Sequence, residues 1–174
     1  NMTVTVRYFH ITGKEYYTKT EKYNVPANAK VECFTPQLRT KDIPKYTLAR
    51  LELKDSKGNV VSVNDYWKNW GNLQANQALN GLGKPTLKLT KKNNRTATLE
   101  YELTNTSKEF AVAVKLNAKD KSSGEIILPA YFSDGYINLL PGEKRTITLD
   151  MPKNTTNNFS IVAEGYNFDS VVLL

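Results

Sequence analysis

Alternation of apolar and polar residues with a period of two dominates this chain. In the opening segment Val4, Val6 and Tyr8 share one side, with polar residues between them. Successive side chains of a β-strand point to opposite faces, so this pattern predicts a strand with one buried face. The turn at residues 55–59, between two strand-like runs, predicts a hairpin. The other predicted strands cover residues 48–53, 60–61, 87–89, 96–103, 110–116, 126–128, 146–149, 159–163 and 171–174.

Short strands separated by turn signals every 8–12 residues are typical of antiparallel β-sandwiches. A loose internal repeat in the sequence indicates two such sandwiches. The strands that begin at Val4 and Val112 are each followed by a turn of proline and small polar residues and then by a basic alternating segment, which contains Val31 and Cys33 in the first copy. The offset between the copies is close to one immunoglobulin-like domain, roughly 100 residues. The sequence therefore predicts an all-β chain of two tandem immunoglobulin-like antiparallel β-sandwich domains, the first truncated at its N-terminal side.

One stretch departs from the strand pattern. Residues 72–80 are good helix formers that end at Gly81, which predicts a short helical turn or coil, and glycine and proline punctuate the segment that follows. We expect a partial first domain at residues 1–67, a linker at 68–84 and a complete second domain at 85–174.

Charge narrows the class of function. The 174 residues carry a formal net charge of +7, a balance that also occurs in nucleic-acid-binding proteins. The lysines are spread over many strands and turns, and lysine commonly guards exposed strand edges. Solvated strand faces are therefore favoured over a nucleic-acid patch. No apolar run approaches the roughly 18 residues of a membrane-spanning helix, so no membrane insertion is expected.

The chain offers few groups for covalent or metal chemistry. Cys33 is the single cysteine, so no internal disulfide can form, and its position in phase with Val31 predicts a buried, inert thiol. A nucleophilic thiol needs a basic partner, and the single histidine, His10, lies on a different predicted strand. Without an acidic calcium-loop pattern, the sequence predicts no metal and no cofactor.

Five asparagines stand in Asn-x-Ser/Thr sequons, which are glycosylated only in eukaryotic secretory proteins. The composition is rich in asparagine and lysine, which favours a bacterial chain of low GC content. The sequons are at Asn1, Asn94, Asn105, Asn154 and Asn158.

Three segments carry a resemblance to a known family. Residues 126–147 read IILPAYFSDGYINLLPGEKRTI and resemble the last immunoglobulin-like domain of glycoside hydrolase family 2 enzymes. Residues 51–67, ending in VVSVNDYW, are similar to the end of the penultimate domain, and residues 164–167, EGYN, resemble a closing E-G-W-N. Gly135 stands where Asn is frequent in the family, and Tyr166 where Trp is usual. The nearest branch is that of exo-β-D-glucosaminidases, mannosylglycoprotein endo-β-mannosidases and β-mannosidases.

The resemblance implies a supporting role rather than catalysis. Enzymes of this family use two carboxylates on a central (β/α)8 barrel, and no strand–helix alternation appears here, so no catalytic residue is assigned. The implied function is a non-catalytic C-terminal region that supports the barrel and shapes its substrate cleft, in a periplasmic or extracellular hydrolase of carbohydrate metabolism. Its partners would be the barrel and other domains of the parent chain. The alternatives are an independent carbohydrate-binding or surface-adhesion module and, third, a nucleic-acid binder.

Exposed aromatic residues are the candidates for carbohydrate contact, because the apolar face of a pyranose ring stacks on them. The sequence singles out Trp70, Tyr131 and Tyr136 as substrate-binding candidates, although packing in a core or a turn explains each of them as well. Trp67 matches the family's Tyr-Trp and is expected to be packed.

Three carboxylates, Asp134, Glu143 and Glu164, resemble a possible acid–base set but lie at turns or strand edges. Turn chemistry explains Asp134 and Glu143 through the glycines beside them. We therefore expect these carboxylates to be structural.

Overall fold

The structure, a computed structural model, describes residues 1–38, 44, 46–92, 98–152 and 158–174. The chain divides into a first unit at residues 1–81 and a second unit at residues 82–174. All strand pairs of the described residues are antiparallel. The prediction of an all-β, immunoglobulin-like chain is confirmed.

The first unit contains a four-stranded sheet. Its strands are β1 (Met2–His10), β2 (Glu15–Tyr23), β3 (Thr47–Lys54) and β4 (Val60–Lys68), in the order β2-β1-β3-β4. A 3-10 helix at Leu73–Gly81 follows and confirms the predicted helical turn.

An irregular segment covers one face of this sheet. Val6, Tyr8 and Ala49 form a small buried cluster, and Phe34 and Leu38 pack against it from the segment that follows β2. The prediction of a strand around Val31 is wrong, because no strand is present between Tyr23 and residue 38.

The thiol prediction fails for the same reason. Without a strand to place it on an inward face, the Cys33 side chain is exposed.

The second unit is a sandwich of two four-stranded sheets. One has the order β5-β6-β10-β8 and the other the order β12-β11-β7-β9. The strands are β5 (Leu87–Lys91), β6 (Leu99–Asn105), β7 (Ala111–Asp120), β8 (Tyr131–Phe132), β9 (Ile137–Leu139), β10 (Lys144–Asp150), β11 (Phe159–Gly165) and β12 (Phe168–Val172).

Alternate residues of four strands fill the space between these sheets, as a period of two requires. The buried residues at its centre are Tyr101 and Leu103 of β6, Val114 and Leu116 of β7, Ile147 and Leu149 of β10, and Ile161 and Ala163 of β11. The strand predicted at residues 126–128 is reduced to an isolated bridge between Ile126 and Lys119.

A buried asparagine closes one end of the second core. Asn105, at the end of β6, is fully buried. Its Nδ2 donates to the backbone oxygens of Glu109 at 2.7 Å and Leu139 at 3.1 Å. Its Oδ1 accepts the backbone N–H of Ser107 at 3.1 Å. The side chain replaces backbone pairing that the chain cannot provide at this corner.

Candidate functional site

A groove of about 360 Å³ opens on the surface of the second unit. Tyr136 and Tyr166 contribute aromatic rings that are 68% and 54% exposed. The polar side chains of the groove are Lys115 and Glu164. Exposed aromatic rings beside charged groups can contact a ligand that has both an apolar face and polar substituents.

A bulge in β7 shapes one wall of the groove. Two residues of β7, Val112 and Ala113, stand opposite Asn138 alone, where the pairing with β9 shifts register. Ala113 has a φ of 53°, in the left-handed region that side chains other than glycine seldom adopt. Its N–H donates to Oδ1 of Asn138 at 3.2 Å, which holds the bulge in place.

The turn between β11 and β12 contributes Tyr166 to the groove. The N–H of Tyr166 donates to the backbone oxygen of Val112 at 2.9 Å. Asn167 then ties this turn to two other segments, because its Nδ2 donates to the backbone oxygens of Gly83 at 2.8 Å and Phe110 at 2.7 Å. Its Oδ1 accepts the N–H of Val112 at 3.1 Å. The side-chain amide thus fixes the backbone of the turn that carries Tyr166.

Gly165 is required where this turn begins. A Cβ atom added there would overlap the ring of Phe168. The glycine of the EGYN segment therefore lets the turn close.

Two of the lining residues, Lys115 and Glu164, form an ion pair. Nζ of Lys115 is 3.2 Å from Oε1 of Glu164, and Nδ2 of Asn117 donates to the same oxygen at 3.1 Å. The hydrogen bond from Lys115, followed by that from Asn117, lowers the pKa of Glu164 below its ordinary value. Both of these contacts are made to Oε1, and the Glu164 side chain is 47% exposed. The carboxylate can therefore accept a further hydrogen bond from a ligand.

The three aromatic residues predicted to bind substrate lie in different surroundings. Tyr136 lines the groove and itself has a φ of 55°. Tyr131 is 68% exposed on the short strand β8 and does not line the groove. Trp70 belongs to the first unit, where it meets Tyr8 edge-on at 6.0 Å and its Nε1 donates to Oγ1 of Thr47 at 3.4 Å.

Sequence reasoning did not select Tyr166 as a candidate. It stands in the quoted EGYN segment at the position where the family usually has tryptophan, and that aromatic position was the available signal. Trp67, which was expected to be packed, is half-buried and stacks on Tyr46 with ring centroids 5.3 Å apart.

The carboxylates near the turns of the second unit are held by an arginine. Arg145 contacts Oδ2 of Asp134 at 3.2 Å and Oε1 of Glu143 at 3.1 Å. Oε2 of Glu143 accepts the N–H of Leu140 at 2.9 Å, and Oδ1 of Asp134 accepts the N–H of Gly135 at 2.9 Å. These contacts give both carboxylates a structural role in their turns.

Large apolar side chains are exposed on the segment that leads from β7 to β8. Ile126 is 53% exposed, Leu128 80% and Tyr131 68%. We call residues 126–131 the apolar loop. Large apolar side chains exposed so close together along the chain favour a contact surface.

The first unit has a cavity of its own. It measures about 370 Å³, and mostly apolar side chains line it. Val6 and Ala49 contribute from the sheet, and Phe34 from the segment that covers it. Cys33 lies at its edge and is exposed.

In the part of the chain that the structure describes, three or more His, Cys, Asp or Glu side chains nowhere meet in a group that could hold a metal ion. None of the described helices has the length and apolar character needed to cross a membrane.

Comparison with known proteins matches both units to immunoglobulin-like domain families that are named after carbohydrate-active enzymes. Residues 64–168 match a family model described as the exo-beta-D-glucosaminidase Ig-fold domain, and residues 1–69 match one described as the mannosidase Ig/CBM-like domain. A curated relative, the exo-beta-D-glucosaminidase of Arthroderma benhamiae, is 26% identical over 186 residues, which cover 96% of this chain and 20% of the relative.

Solved structures agree with these matches. The crystal structure of the exo-chitosanase CsxA of Amycolatopsis orientalis superposes with a TM-score of 0.71 at 25% identity. A structure of the exo-beta-D-glucosaminidase CsxA inhibited by a glucosamine-configured castanospermine superposes with a TM-score of 0.72, also at 25% identity. Each alignment covers 98% of this chain and 23% of the solved chain. The chain thus spans about a quarter or less of the length of these relatives.

Proposed function

This chain belongs to the exo-β-D-glucosaminidase Ig-fold domain family, and from that membership we propose that it supports the catalytic domain of a family 2 glycoside hydrolase acting on glucosamine-containing substrates. The immunoglobulin-like units are an accessory, non-catalytic region. The curated relative acts as an exo-β-D-glucosaminidase by name, and four-fifths of its length lies outside the aligned region. The parent's activity would therefore reside outside the present chain.

The apolar loop carries this proposal. Leu128 and Tyr131 expose large apolar side chains to water. Contact with another domain would cover them and would be favourable, because apolar surface would be removed from water. Contacts between domains of one chain commonly bury 600–1,500 Å² and include such side chains. The partner that fits is the catalytic barrel of the parent chain, in line with the role implied by the family. An independent carbohydrate-binding or adhesion module is not favoured, because two enzyme-derived domain families match this chain in tandem.

Complementation tests the support function. The 174-residue chain is added to the remainder of the parent chain, and hydrolysis of an aryl β-glucosaminide is measured. We expect the chain alone to be inactive, the remainder to be weakly active, and the mixture to recover activity. A remainder that is fully active alone and binds no added chain would contradict the proposal.

Two matched variants locate the contact. Leu128 and Leu73 are both 80% exposed, but Leu73 lies on the 3-10 helix of the first unit. We expect Leu128→Asp to weaken complementation about tenfold or more, as loss of an interface anchor does, and Leu73→Asp to leave it unchanged. Equal effects of the two variants would place the contact elsewhere.

A further inference from the structure

The groove of the second unit combines features that no role in the core accounts for. Tyr136 and Tyr166 expose much of their rings, although each is held by a specific backbone arrangement. Glu164 lines the same groove, and its Oε1 is engaged by Lys115 and Asn117. Exposed aromatic rings and an exposed carboxylate contribute nothing to the packing of a buried core.

We propose that this groove binds one aminated pyranose unit, with Tyr136 and Tyr166 against the sugar ring and Glu164 accepting a hydrogen bond from its ammonium group. The inference deepens the proposed function by adding a non-catalytic subsite for the substrate class. The site involves no covalent step, since the groove only holds the sugar.

The dimensions of the groove select a single sugar unit. Its volume of about 360 Å³ lies at the lower end of the 300–1,000 Å³ typical of small-molecule sites. The net charge of +7 opposes long-range attraction of a polycationic chain. Recognition therefore depends on short-range contacts, which suit a terminal unit better than a long polymer.

An ammonium substituent matches the chemistry of the walls. The π face of a tyrosine ring attracts cations, and aromatic residues recur in sites that recognise ammonium ligands. A hydrogen bond between an ammonium and a carboxylate is stronger than one between neutral groups. Oε2 of Glu164 can accept this bond while Oε1 stays with Lys115 and Asn117.

The pKa of Glu164 lies below its ordinary value, which favours the charged carboxylate. The hydrogen bond from Lys115 is the main cause of its lowered pKa, with a further contribution from the charge of Lys119. Amino sugars are also protonated when the solution is acidic, so both partners are charged together there.

The backbone of the groove is held in an unusual conformation. Ala113 and Tyr136 both have positive φ angles, at 53° and 55°. Non-glycine residues persist in such conformations when the surrounding structure fixes them, and they are frequent at binding sites. This observation supports the proposal independently of the side-chain chemistry.

NMR titration of the 174-residue chain tests the site directly. The probes are a β-linked trisaccharide of glucosamine and its fully N-acetylated counterpart, which has the same ring framework but lacks the ammonium groups. We expect the amino form to shift the backbone amides of residues 113–115, 136 and 164–166, with a dissociation constant on the order of 1 mM. The N-acetylated form should bind at least about fivefold more weakly.

Three variants separate the contributions. Glu164→Gln should reduce the preference for the amino form to less than about twofold, whereas Tyr136→Ala should weaken binding of both forms. Tyr131→Ala is the matched control, because Tyr131 is as exposed as Tyr136 but lies outside the groove. It should leave both affinities unchanged.

Several results would overturn the subsite. They are the absence of shifts at concentrations on the order of 10 mM, shifts confined to other surfaces, equal affinity for the two probes, or equal effects of Tyr131→Ala and Tyr136→Ala. Tyr136→Ala and Glu164→Gln are also tested by complementation. If sugar binding fails while the unmodified chain still restores activity, only the subsite is rejected. If Tyr136→Ala abolishes complementation in a chain that binds no sugar, the groove is a contact surface for the parent.

Discussion

At the scale of single residues, one buried hydroxyl stands out in the second core. Tyr101 is 1% exposed, and its hydroxyl is the one buried side-chain polar atom of the described residues that lacks a hydrogen-bond partner. Burial raises the pKa of this phenol above its ordinary value. Removal of a polar group from water without a partner costs free energy, so the hydroxyl reduces stability.

Tyr101→Phe is therefore expected to leave the free energy of unfolding unchanged or to raise it by up to about 1 kcal/mol. Tyr16 provides the contrast, since its hydroxyl is 2.8 Å from Oγ1 of Thr47. Tyr16→Phe should lower the free energy of unfolding by about 0.5–1.5 kcal/mol. Urea unfolding of both variants measures the difference, and a larger loss for Tyr101→Phe would show that its hydroxyl has a partner.

The candidate site shows how far single residues can be predicted. Tyr136 was selected from the sequence because it is aromatic and lies in a family-like loop. The residues that line the groove with Tyr136 could not be predicted, because the bulge at Ala113 and the side-chain amide of Asn167 bring distant segments together. No local pattern encodes either contact.

At the scale of elements, strands β3 and β4 share a buried ion pair. Arg50 and Asp65 are directly opposite in the register, and the guanidinium binds both carboxylate oxygens, with Nε at 2.8 Å from Oδ1 and Nη2 at 3.0 Å from Oδ2. Their side chains are only 7% and 14% exposed. The pair thus fixes the register of these strands from inside the unit.

Asp65→Ala should lower the stability of the first unit by about 3 kcal/mol, because it removes the carboxylate that binds two nitrogens of the buried guanidinium. The exposed pair of Arg7 and Glu15 is the control, with side chains that are 40% and 35% exposed. Glu15→Ala should cost less than about 1 kcal/mol. The amide signals of the first unit, followed during denaturation, report both values, and similar losses for the two variants would refute the distinction.

Predictions of elements succeeded where aliphatic residues alternate. β1, β3, β10 and β11 follow such patterns and were predicted from them. β2 was not, because Glu15–Tyr23 consists of tyrosine, threonine and charged residues and contains no aliphatic side chain. The segment at residues 25–34 has strand-like spacing but forms no strand, and its Phe34 packs on the sheet. Its conformation depends on these tertiary contacts, which a local sequence pattern does not reveal.

At the scale of the whole molecule, the two units differ in how they bury their apolar residues. The second unit encloses its core between two sheets, and Leu103, Val114, Ile147 and Ile161 are fully buried there. In the described part of the first unit, a single sheet is covered by an irregular segment. The second unit therefore removes more apolar surface from water.

Amide hydrogen exchange should accordingly be slower in the predicted second domain, residues 85–174, than in residues 1–67. Slow exchange reports the free energy needed to open each region, and core strands between two sheets open last. Mass-spectrometric exchange of the 174-residue chain measures both regions in one sample. Equal or reversed protection would show that the first region is the more stable fold.

The burial of Asn105 has a consequence for how this protein can be produced. Asn105, Thr106 and Ser107 form a glycosylation sequon, yet the asparagine amide is enclosed and already bonded to two backbone oxygens. A secretory host such as yeast attaches its oligosaccharide while the chain is still unfolded, and a glycan at this position would keep the corner from closing. Sugar attachment and folding would then exclude each other, so the expressed chains should divide into a folded, unmodified fraction that is secreted and a modified fraction that the cell degrades. Expression in a bacterial cytoplasm avoids this competition altogether.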